Sequence, residues 1–280
     1  MGILYLVATP IGNLEDLTMR AVRILSEATL IAAEDTRSAR RLLTHLKISK
    51  PITSYFEHNK LTKLNSILDA LDAGDVAVIS DAGMPGLSDP GYELVCAALA
   101  RGIRVVPIPG PSAITSALVA SGLPTDQFMY LGFLPRQKSA RRKFLQEVVA
   151  ETRTLVLFEA PHRVVASLSD IADVLGNRPM CVARELTKIH EEFLRGSVSE
   201  LQKHFVAHPP RGEFTLVIAG KTTDDRQQTT DNKAAWDDAT IIAAVHDLIA
   251  TGVSRTDAVK RIARASGRDR REVYRLAMSS

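Results

Sequence analysis

The sequence predicts an α/β protein in which two α/β domains precede a small helical domain. Over about the first 220 residues, short apolar runs rich in strand formers alternate with longer segments of helical periodicity. A polar stretch with almost no aliphatic residues follows, and after it only helical patterns occur. We therefore expect α/β domains at 1–121 and 122–220, a linker at 221–238 and a helical domain at 239–280.

The first domain contains four apolar runs that predict strands, namely ILYLVAT, TLIAA, DVAVIS and IRVVPIPG. Helical segments lie between them. LEDLTMRAVRILSEA has its apolar residues at helical spacing, and LTKLNSILDALDAG closes at Gly74, a common residue at helix ends. Continuous apolar strands separated by helices indicate a parallel sheet that is covered on both faces.

The second domain repeats this alternation with strands FMYLGFLP, TLVLFEA, MCVARE and FTLVIAG and with helices near 140–150 and 163–174. The last region contains three short helical segments separated by Gly252 and Gly267. This spacing is the layout of a helix-turn-helix module. A small bundle that makes protein contacts is the alternative interpretation.

Positive charge is concentrated in two places, although the net charge is only +3. Residues 251–280 hold eight lysines and arginines against three acids, and RQKSARRK at 136–143 holds five cations. Two such patches in one chain leave a polyanionic partner and solvated helix faces as equal alternatives, and the basic third helix favours nucleic acid. For either patch alone, a solvated helix face remains the alternative.

Composition and missing motifs exclude several classes of protein. Hydrophobic residues at 45% and charged residues at 24% are typical of a soluble globular protein, and no apolar run could span a membrane. Cys96 and Cys181 lie in apolar stretches without metal-ligand spacing. We expect both to be core residues in a reducing cytoplasm, and we expect no metal site. The usual dinucleotide, P-loop and serine-hydrolase motifs are absent from the sequence.

Four unusual loops follow strands of the first domain: TPIGN (9–13), AEDTR (33–37), SDAGMPGLSDPG (80–91) and PIPGPSA (107–113). In open α/β sheets, ligands bind beyond the carboxyl ends of the strands. Glycine lets the main chain approach a ligand, and proline holds that main chain in place. A chance turn explains one such loop, but four predict a ligand site at one edge of the sheet.

Eight motifs, in this order, resemble the tetrapyrrole methylase family, also called class III methyltransferases, and in particular its RNA-modifying branch. They are TPIGNLEDLT, AEDTR, SDAGMPGLSDPG, PGPSA, LGFLPR, FEAPHR, ARELTKIHEE and RGEFTLVIAG. The resemblance implies two α/β domains of the family's type, with S-adenosylmethionine in the cleft between them, and a homodimer. It also implies transfer to the 2′-hydroxyl of a cytidine in the decoding region of 16S ribosomal RNA, within the 30S subunit.

The family's donor-binding positions carry over onto these motifs. Its tetrapyrrole branch has Gly-Gly-Asp-Pro where this chain has Ala82-Gly83-Met84-Pro85, so an acid is missing at Met84, and Asp81 or the backbone is expected to replace it. The donor contacts implied by the resemblance are Pro10, Asp81, Ala82, Gly83, Met84, Leu87, Ser112, Ala113, Phe158, Arg184 and Thr215.

A ribose hydroxyl is a weak nucleophile, so a positioned base should assist its attack on the methyl group. The candidates by position are Glu34, Asp35, Glu159 and Glu185, the last together with Lys188. We rank Glu185 with Lys188 first, because both follow a strand end in the second domain. A structural salt bridge is the alternative for each acid.

RNA phosphates require cations at the protein surface. The expected RNA contacts are Arg37, Arg40, Arg41, Arg136, Arg141, Arg142, Lys143, Arg268, Arg270 and Arg271. Two other functions stay open at this point. One is a tetrapyrrole methyltransferase of the same fold, and the other is a non-enzymatic RNA-binding protein.

Overall fold

The computed structural model describes residues 1–222, 236 and 238–278. The chain divides into two compact units, Met1–Lys221 and Thr222–Ser280. Most of the linker predicted at 221–238 lies outside the described residues. Among the described helices, none combines the length and the apolar character needed to cross a membrane.

The first unit begins with a five-stranded sheet. Its strands are β1 (Leu4–Val7), β2 (Leu30–Ala33), β3 (Ile52–Ser54), β4 (Val76–Ile79) and β5 (Val105–Ile108). Its helices are α1 (Met19–Glu27), α2 (Thr36–His45), α3 (Lys60–Ala73), α4 (Tyr92–Ala100) and α5 (Ala113–Ala120). The strand order is β3-β2-β4-β1-β5 and every pairing is parallel, as predicted. The three-residue strand β3 was not predicted, because so short a segment carries no periodicity.

Helices cover both faces of this sheet. On one face α1 and α2 bury Leu25 and Leu43, and on the other α3 and α4 bury Leu68 and Leu94. The prediction that Cys96 is a core residue is wrong, because α4 packs through Leu94 and Ala98 and leaves the Cys96 side exposed. Cys181 is buried, as predicted.

The second sheet completes this unit. Its strands are β6 (Phe128–Phe133), β7 (Thr154–Glu159), β8 (Pro179–Arg184), β9 (Glu192–Ser197) and β10 (Phe214–Ile218). Its helices are α6 (Lys138–Glu147), α7 (Val164–Leu175) and α8 (Val198–Ala207). The strand order is β6-β7-β10-β8-β9, in which β6 and β7 are parallel and the other pairings are antiparallel.

The hairpin partner β9 and the helix α8 were not predicted from the sequence. The strand β9 has the sequence EFLRGS, which lacks a continuous apolar run because an edge strand is only half covered. The start of α8 did carry a signal. Ser197 and Glu200 form a reciprocal capping box, which the S-x-x-E spacing of SVSE encodes.

Helix α5 holds the two sheets together. Its residues Ile114, Ala117 and Leu118 share one buried cluster with Val156 of β7 and Val217 of β10. The Arg195 side chain of β9 adds polar contacts by donating to the backbone carbonyls of Ala120 and Ser121 at the end of the helix. Because α5 follows the loop at 107–113, this packing places the loop edge of the first sheet against the second sheet.

The second unit contains α9 (Asp238–Ala250), α10 (Arg255–Ser266) and α11 (Arg270–Met278) around one apolar cluster. Helix α10 ends at Gly267, which has the left-handed conformation that suits glycine. Arg268 is bound to the carboxylates of Asp238 and Glu272 at 2.8 Å each and donates to the Trp236 carbonyl. These bonds orient its guanidinium at the surface of this unit, and the RNA contact of Arg268 stays a prediction.

The basic run at 136–143 is also partly structural. Arg141 is 5% exposed and its guanidinium lies 2.6 Å from the carboxylate of Asp170, which is 1% exposed. Arg142 binds Asp170 and Asp173. The prediction of RNA contact is therefore wrong for Arg141. The guanidinium of Arg142 is paired with its two acids. Arg136 and Lys143 are exposed.

Replacing Arg141 with alanine should lower the free energy of unfolding by about 3 kcal/mol, because Asp170 would stay buried with only Arg142 as a partner. Urea denaturation followed by circular dichroism measures this change. The matched control is Lys143→Ala on the exposed face of the same helix, expected to change stability by less than about 0.5 kcal/mol. Equal effects of the two substitutions would contradict the structural role of Arg141.

Candidate active site

Two of the unusual loops are joined by a pair of backbone hydrogen bonds. The N–H of Thr9 donates to the carbonyl of Gly83 at 2.9 Å, and the N–H of Gly83 donates to the carbonyl of Thr9 at 3.0 Å. Gly83 has a φ of +80°, which a residue with a side chain adopts at a cost. The Thr9 hydroxyl also donates to the Ser80 carbonyl at 3.1 Å. Thr9 lines one cavity and Gly83 lines another, so the bridge lies between two cavities, each of which is lined by both loops.

The large cavity has a volume of about 350 Å³ and lies between the two sheets. Its size is within the range of about 300–1,000 Å³ typical of small-molecule sites. It collects most of the predicted donor-binding residues, including two of the three that lie beyond residue 121. Those in its lining are Ala82, Gly83, Met84, Leu87, Ser112, Ala113, Phe158 and Thr215.

Aromatic side chains form one wall of the large cavity. The ring of Phe158 lies 5.5 Å from that of Phe133 and 5.4 Å from that of Tyr130, measured between centroids. The Tyr130 hydroxyl is 2.6 Å from the hydroxyl of Ser88, so the loop at 80–91 is tied to the second sheet. Phe133 was not predicted as a site residue, because an aromatic residue in a strand such as FMYLGFLP is usually explained by packing.

Asp89 supplies a carboxylate to the large cavity. Burial raises the pKa of Asp89 to about 6; the negative charges of Glu34 and Asp81 add to this, and a hydrogen bond from Ser80 opposes it. A carboxylate with such a pKa is ionised at neutral pH and still accepts a proton readily. Asp89 was not predicted as a site residue. Aspartate is common in turns, and the sequence SDPG is typical of a turn.

The small cavity has a volume of about 240 Å³ and lies on the other side of the bridge. Pro10 and Asp81, both predicted to contact the donor, line this cavity instead, together with Glu34 and Asp35. The backbone N–H of Asp81 donates to Glu34 at 3.3 Å. Burial raises the pKa of Glu34; this hydrogen bond opposes the shift, while the charges of Asp81 and Asp35 add to it.

Asp35 has a structural function. Its carboxylate accepts from the backbone N–H of Arg37 at 2.7 Å and caps the first turn of α2. The Arg37 side chain donates to the same carboxylate and lowers the pKa of Asp35. This capped, paired acid is a weaker base than Glu34 or Asp89.

Glu185 and Lys188 line neither cavity among the described residues. The Lys188 ammonium binds the carboxylates of Glu185 and Glu213 at 2.9 and 3.1 Å, and its stem packs against Gly12. Burial alone would raise the pKa of Glu185, but hydrogen bonds from Lys188 and from the Glu213 N–H hold it below the usual value. The structure therefore does not support ranking Glu185 first as a base, because the pair instead connects the loop after β8 to the TPIGN loop.

Two further predicted site residues, Arg184 and Glu159, are bound by other residues of the fold. Arg184 binds Glu192 at 3.2 Å and the carbonyl of Arg211, and it lines neither of the two cavities. Glu159 does line the large cavity, but it is 2% exposed and paired with Arg163 and Ser167. Its carboxylate is thus occupied, and Asp89 is the more available acid in this cavity.

The large cavity suits S-adenosylmethionine. Rings and aliphatic side chains can cover an adenine and the carbons around sulfur, and the carboxylate of Asp89 complements its positive charge. At Gly83 the backbone itself forms part of the wall, as a main-chain cradle requires. Within the described residues, no group of three or more His, Cys, Asp and Glu side chains could hold a metal ion.

The chain belongs to the family described as tetrapyrrole (corrin/porphyrin) methylases, whose profile matches residues 3–202. Its cofactor is S-adenosylmethionine, the methyl donor of that family. A uroporphyrin III C-methyltransferase from Thermus thermophilus shares the fold, with a TM-score of 0.54 and 20% identity, covering 77% of this chain and 97% of that one.

Relatives with higher identity are each called ribosomal RNA small subunit methyltransferase I. The protein from Halalkalibacterium halodurans is 46% identical over 276 residues, which cover 98% of this chain and 94% of the relative. The one from Synechocystis is 45% identical over 280 residues, or 99% and 98% of the two chains. The one from Thermotoga maritima is 49% identical over 222 residues, which cover 79% of this chain and all of the relative.

Replacing Phe158 with alanine should weaken S-adenosylmethionine binding by about 30-fold, since an aromatic face is worth roughly 2 kcal/mol to a desolvated cation. Isothermal titration calorimetry measures this affinity. Phe128→Ala is the matched control, because Phe128 lies at the start of the neighbouring strand β6 and does not line the large cavity. Unchanged affinity in Phe158→Ala would place the donor elsewhere.

Proposed function

We propose that this protein transfers a methyl group from S-adenosylmethionine to the 2′-hydroxyl of a cytidine in the decoding region of small-subunit ribosomal RNA. The observation that carries the proposal is the similarity to small-subunit ribosomal RNA methyltransferases over nearly the whole chain. The geometry adds a donor-sized cavity beside an acidic side chain with a raised pKa. A cytoplasmic homodimer acting on the 30S subunit is part of the same proposal.

The large cavity holds the donor in this proposal. The backbone at 82–84 and Thr215 supply polar contacts, while Leu87 and Phe158 cover the apolar parts. When bound, S-adenosylmethionine supplies an activated methyl group and a neutral thioether leaving group. The protein must then align the acceptor and remove one proton, and this needs no metal ion.

Asp89 is the residue that we assign to proton removal. Its carboxylate lines the large cavity and accepts a hydrogen bond from Ser80, which lines the small cavity. It therefore lies near the boundary at which an acceptor from one side meets a donor from the other. Above pH 6 it is ionised and can accept the hydroxyl proton as the oxygen attacks.

Exposed cations supply the surface that RNA needs. Arg37, Arg40 and Arg41 lie on α2, and Arg41 lines the small cavity. Arg136 and Lys143 are exposed near α6. Since the Thermotoga maritima relative is covered in full by 222 residues, we assign donor binding and catalysis to residues 1–221. Arg270 and Arg271 of the second unit are exposed and would add phosphate contacts.

The product of the reaction tests this function. Small subunits from cells that lack the gene are incubated with the purified protein and isotope-labelled S-adenosylmethionine, and the RNA is digested and analysed by mass spectrometry. We expect one labelled 2′-O-methylcytidine per subunit, mapped to the decoding region. Methylation of a base would contradict the ribose assignment. Methylation of uroporphyrinogen but not of RNA would establish the tetrapyrrole alternative instead.

Replacing Asp89 with asparagine should lower kcat by about 100- to 10,000-fold, the usual contribution of a general base, and leave donor affinity within about threefold. In the unmodified enzyme, kcat/KM should fall below pH 6 as Asp89 becomes protonated. The matched control is Asp72→Asn, an exposed aspartate on α3. A substituted enzyme with ordinary turnover would remove Asp89 from the mechanism.

Stability provides a second readout for Asp89. Because folding raises its pKa above the unfolded value, its protonated form favours the folded state, and this contribution is lost as the pH rises through about 6. Asp89→Asn should therefore raise the melting temperature at neutral pH, with the difference narrowing below pH 6. A lower melting temperature at neutral pH would show that the ionised carboxylate stabilises the fold.

A further inference from the structure

We propose that the small cavity receives the base of the nucleotide to be methylated, and that Glu34 recognises the exocyclic amino group of cytosine. This inference rests on the proposed function and adds to it a base-binding pocket and the residue that reads the base. The pocket is defined by its position relative to the donor, by its size, by its wall and by the cations at its rim.

The position follows from the bridge between Thr9 and Gly83. Residues on one side of it, Pro10 and Asp81, line the small cavity, and residues on the other side, Ile11 and Ala82, line the large one. A nucleotide with its base in the small cavity would bring its ribose towards Asp89, which accepts a hydrogen bond from Ser80 on the wall of the small cavity. In this arrangement the base lies in the small cavity, the methyl group lies in the large cavity, and the ribose hydroxyl lies between them.

The size of the small cavity matches a single base. A cavity of about 150 Å³ accepts benzene, so about 240 Å³ accommodates a six-membered ring together with its exocyclic groups. Enzymes that modify a nucleotide commonly take it out of its stack and enclose the base in such a pocket. The donor does not need this space, since the large cavity alone reaches the volume of a small-molecule site.

The wall of the small cavity combines apolar surface with one available carboxylate. Leu14, Leu42 and Ile79 can cover the faces of a ring. The carboxylate of Glu34 accepts one long hydrogen bond, 3.3 Å from the Asp81 N–H, which leaves lone pairs for a ligand. A carboxylate accepts from the amino group of cytosine and repels the O4 oxygen that uracil has at the same place.

The rim of the small cavity carries positive charge. Arg41 and His45 line it and are exposed, and Arg37 and Arg40 lie on the same helix. The phosphates on either side of an extruded nucleotide would meet these side chains. The opening therefore suits a polyanionic chain whose inserted base is held by the more acidic interior.

The test compares Glu34→Gln with the intact enzyme on small subunits reconstituted with cytidine or uridine at the methylated position. Glu34→Gln should reduce kcat/KM for cytidine by about 10- to 100-fold, the usual value of one base contact, and should lose most of the preference over uridine. Its affinity for S-adenosylmethionine should match that of the intact enzyme. Glu27→Gln, an exposed acid on α1, is the matched control and should behave as the intact enzyme.

A second substitution fills the pocket without changing its charge. Ser38→Leu places a larger side chain on the wall of the small cavity and should stop RNA methylation while donor affinity is retained. Weaker donor binding in either variant would overturn the proposal, because the cavity would then belong to the donor. An unchanged cytidine-to-uridine ratio in Glu34→Gln would overturn it as well. Failure of the proposed function is distinguishable from failure of this inference. If the proposed function is wrong, the intact enzyme will leave the cytidine substrate unmethylated.

Discussion

The paired hydrogen bonds between Thr9 and Gly83 are the constraint on which both cavities depend. They join the loop after β1 to the loop after β4, and these two strands are neighbours at the centre of the first sheet. A parallel sheet brings the carboxyl ends of its strands to one edge, but it does not determine how the loops beyond that edge fold. The bridge does so, because it draws the two loops together and leaves a hollow on either side.

The second constraint is the apolar packing of α5 against the second sheet. Ile114 and Leu118 are buried there with strand residues such as Val156, so the second sheet is held against the loop edge of the first. The Glu185–Lys188–Glu213 cluster acts at the same junction through the contact of Lys188 with Gly12. The large cavity is thus lined from both sheets and their loops, while the small cavity is lined by residues 9–81 alone.

The carboxylates around these loops destabilise the fold when they are ionised, and they are suited to proton transfer. Glu34, Asp81 and Asp89 each have a raised pKa, with burial as the largest cause and neighbouring acids as a further one. A fold selected for stability alone would not gather unpaired carboxylates at one edge of a sheet. The contrast with Asp170 is informative, since that buried acid is neutralised by Arg141 and Arg142.

The sequence predicts the fold class well because apolar periodicity reports burial directly. The strands β1, β2, β4 and β5 and their helices follow from such runs, whereas β3 is too short and β9 too polar to give the signal. The donor loops are predictable because glycine and proline mark unusual backbone. The ionic partners are not predictable, since Arg141, Arg184 and Arg268 meet their acids only in the folded chain. Asp89 is missed for the same reason, because its burial comes from tertiary packing.

A crystal structure with bound S-adenosylhomocysteine would test the division of the site most directly. We expect this product to occupy the cavity between Gly83 and Phe158 and to leave the cavity beside Glu34 free for the acceptor. Electron density for its adenosyl group beside Glu34 and Arg41 would show instead that the small cavity binds the donor, and this cavity could not then receive the base.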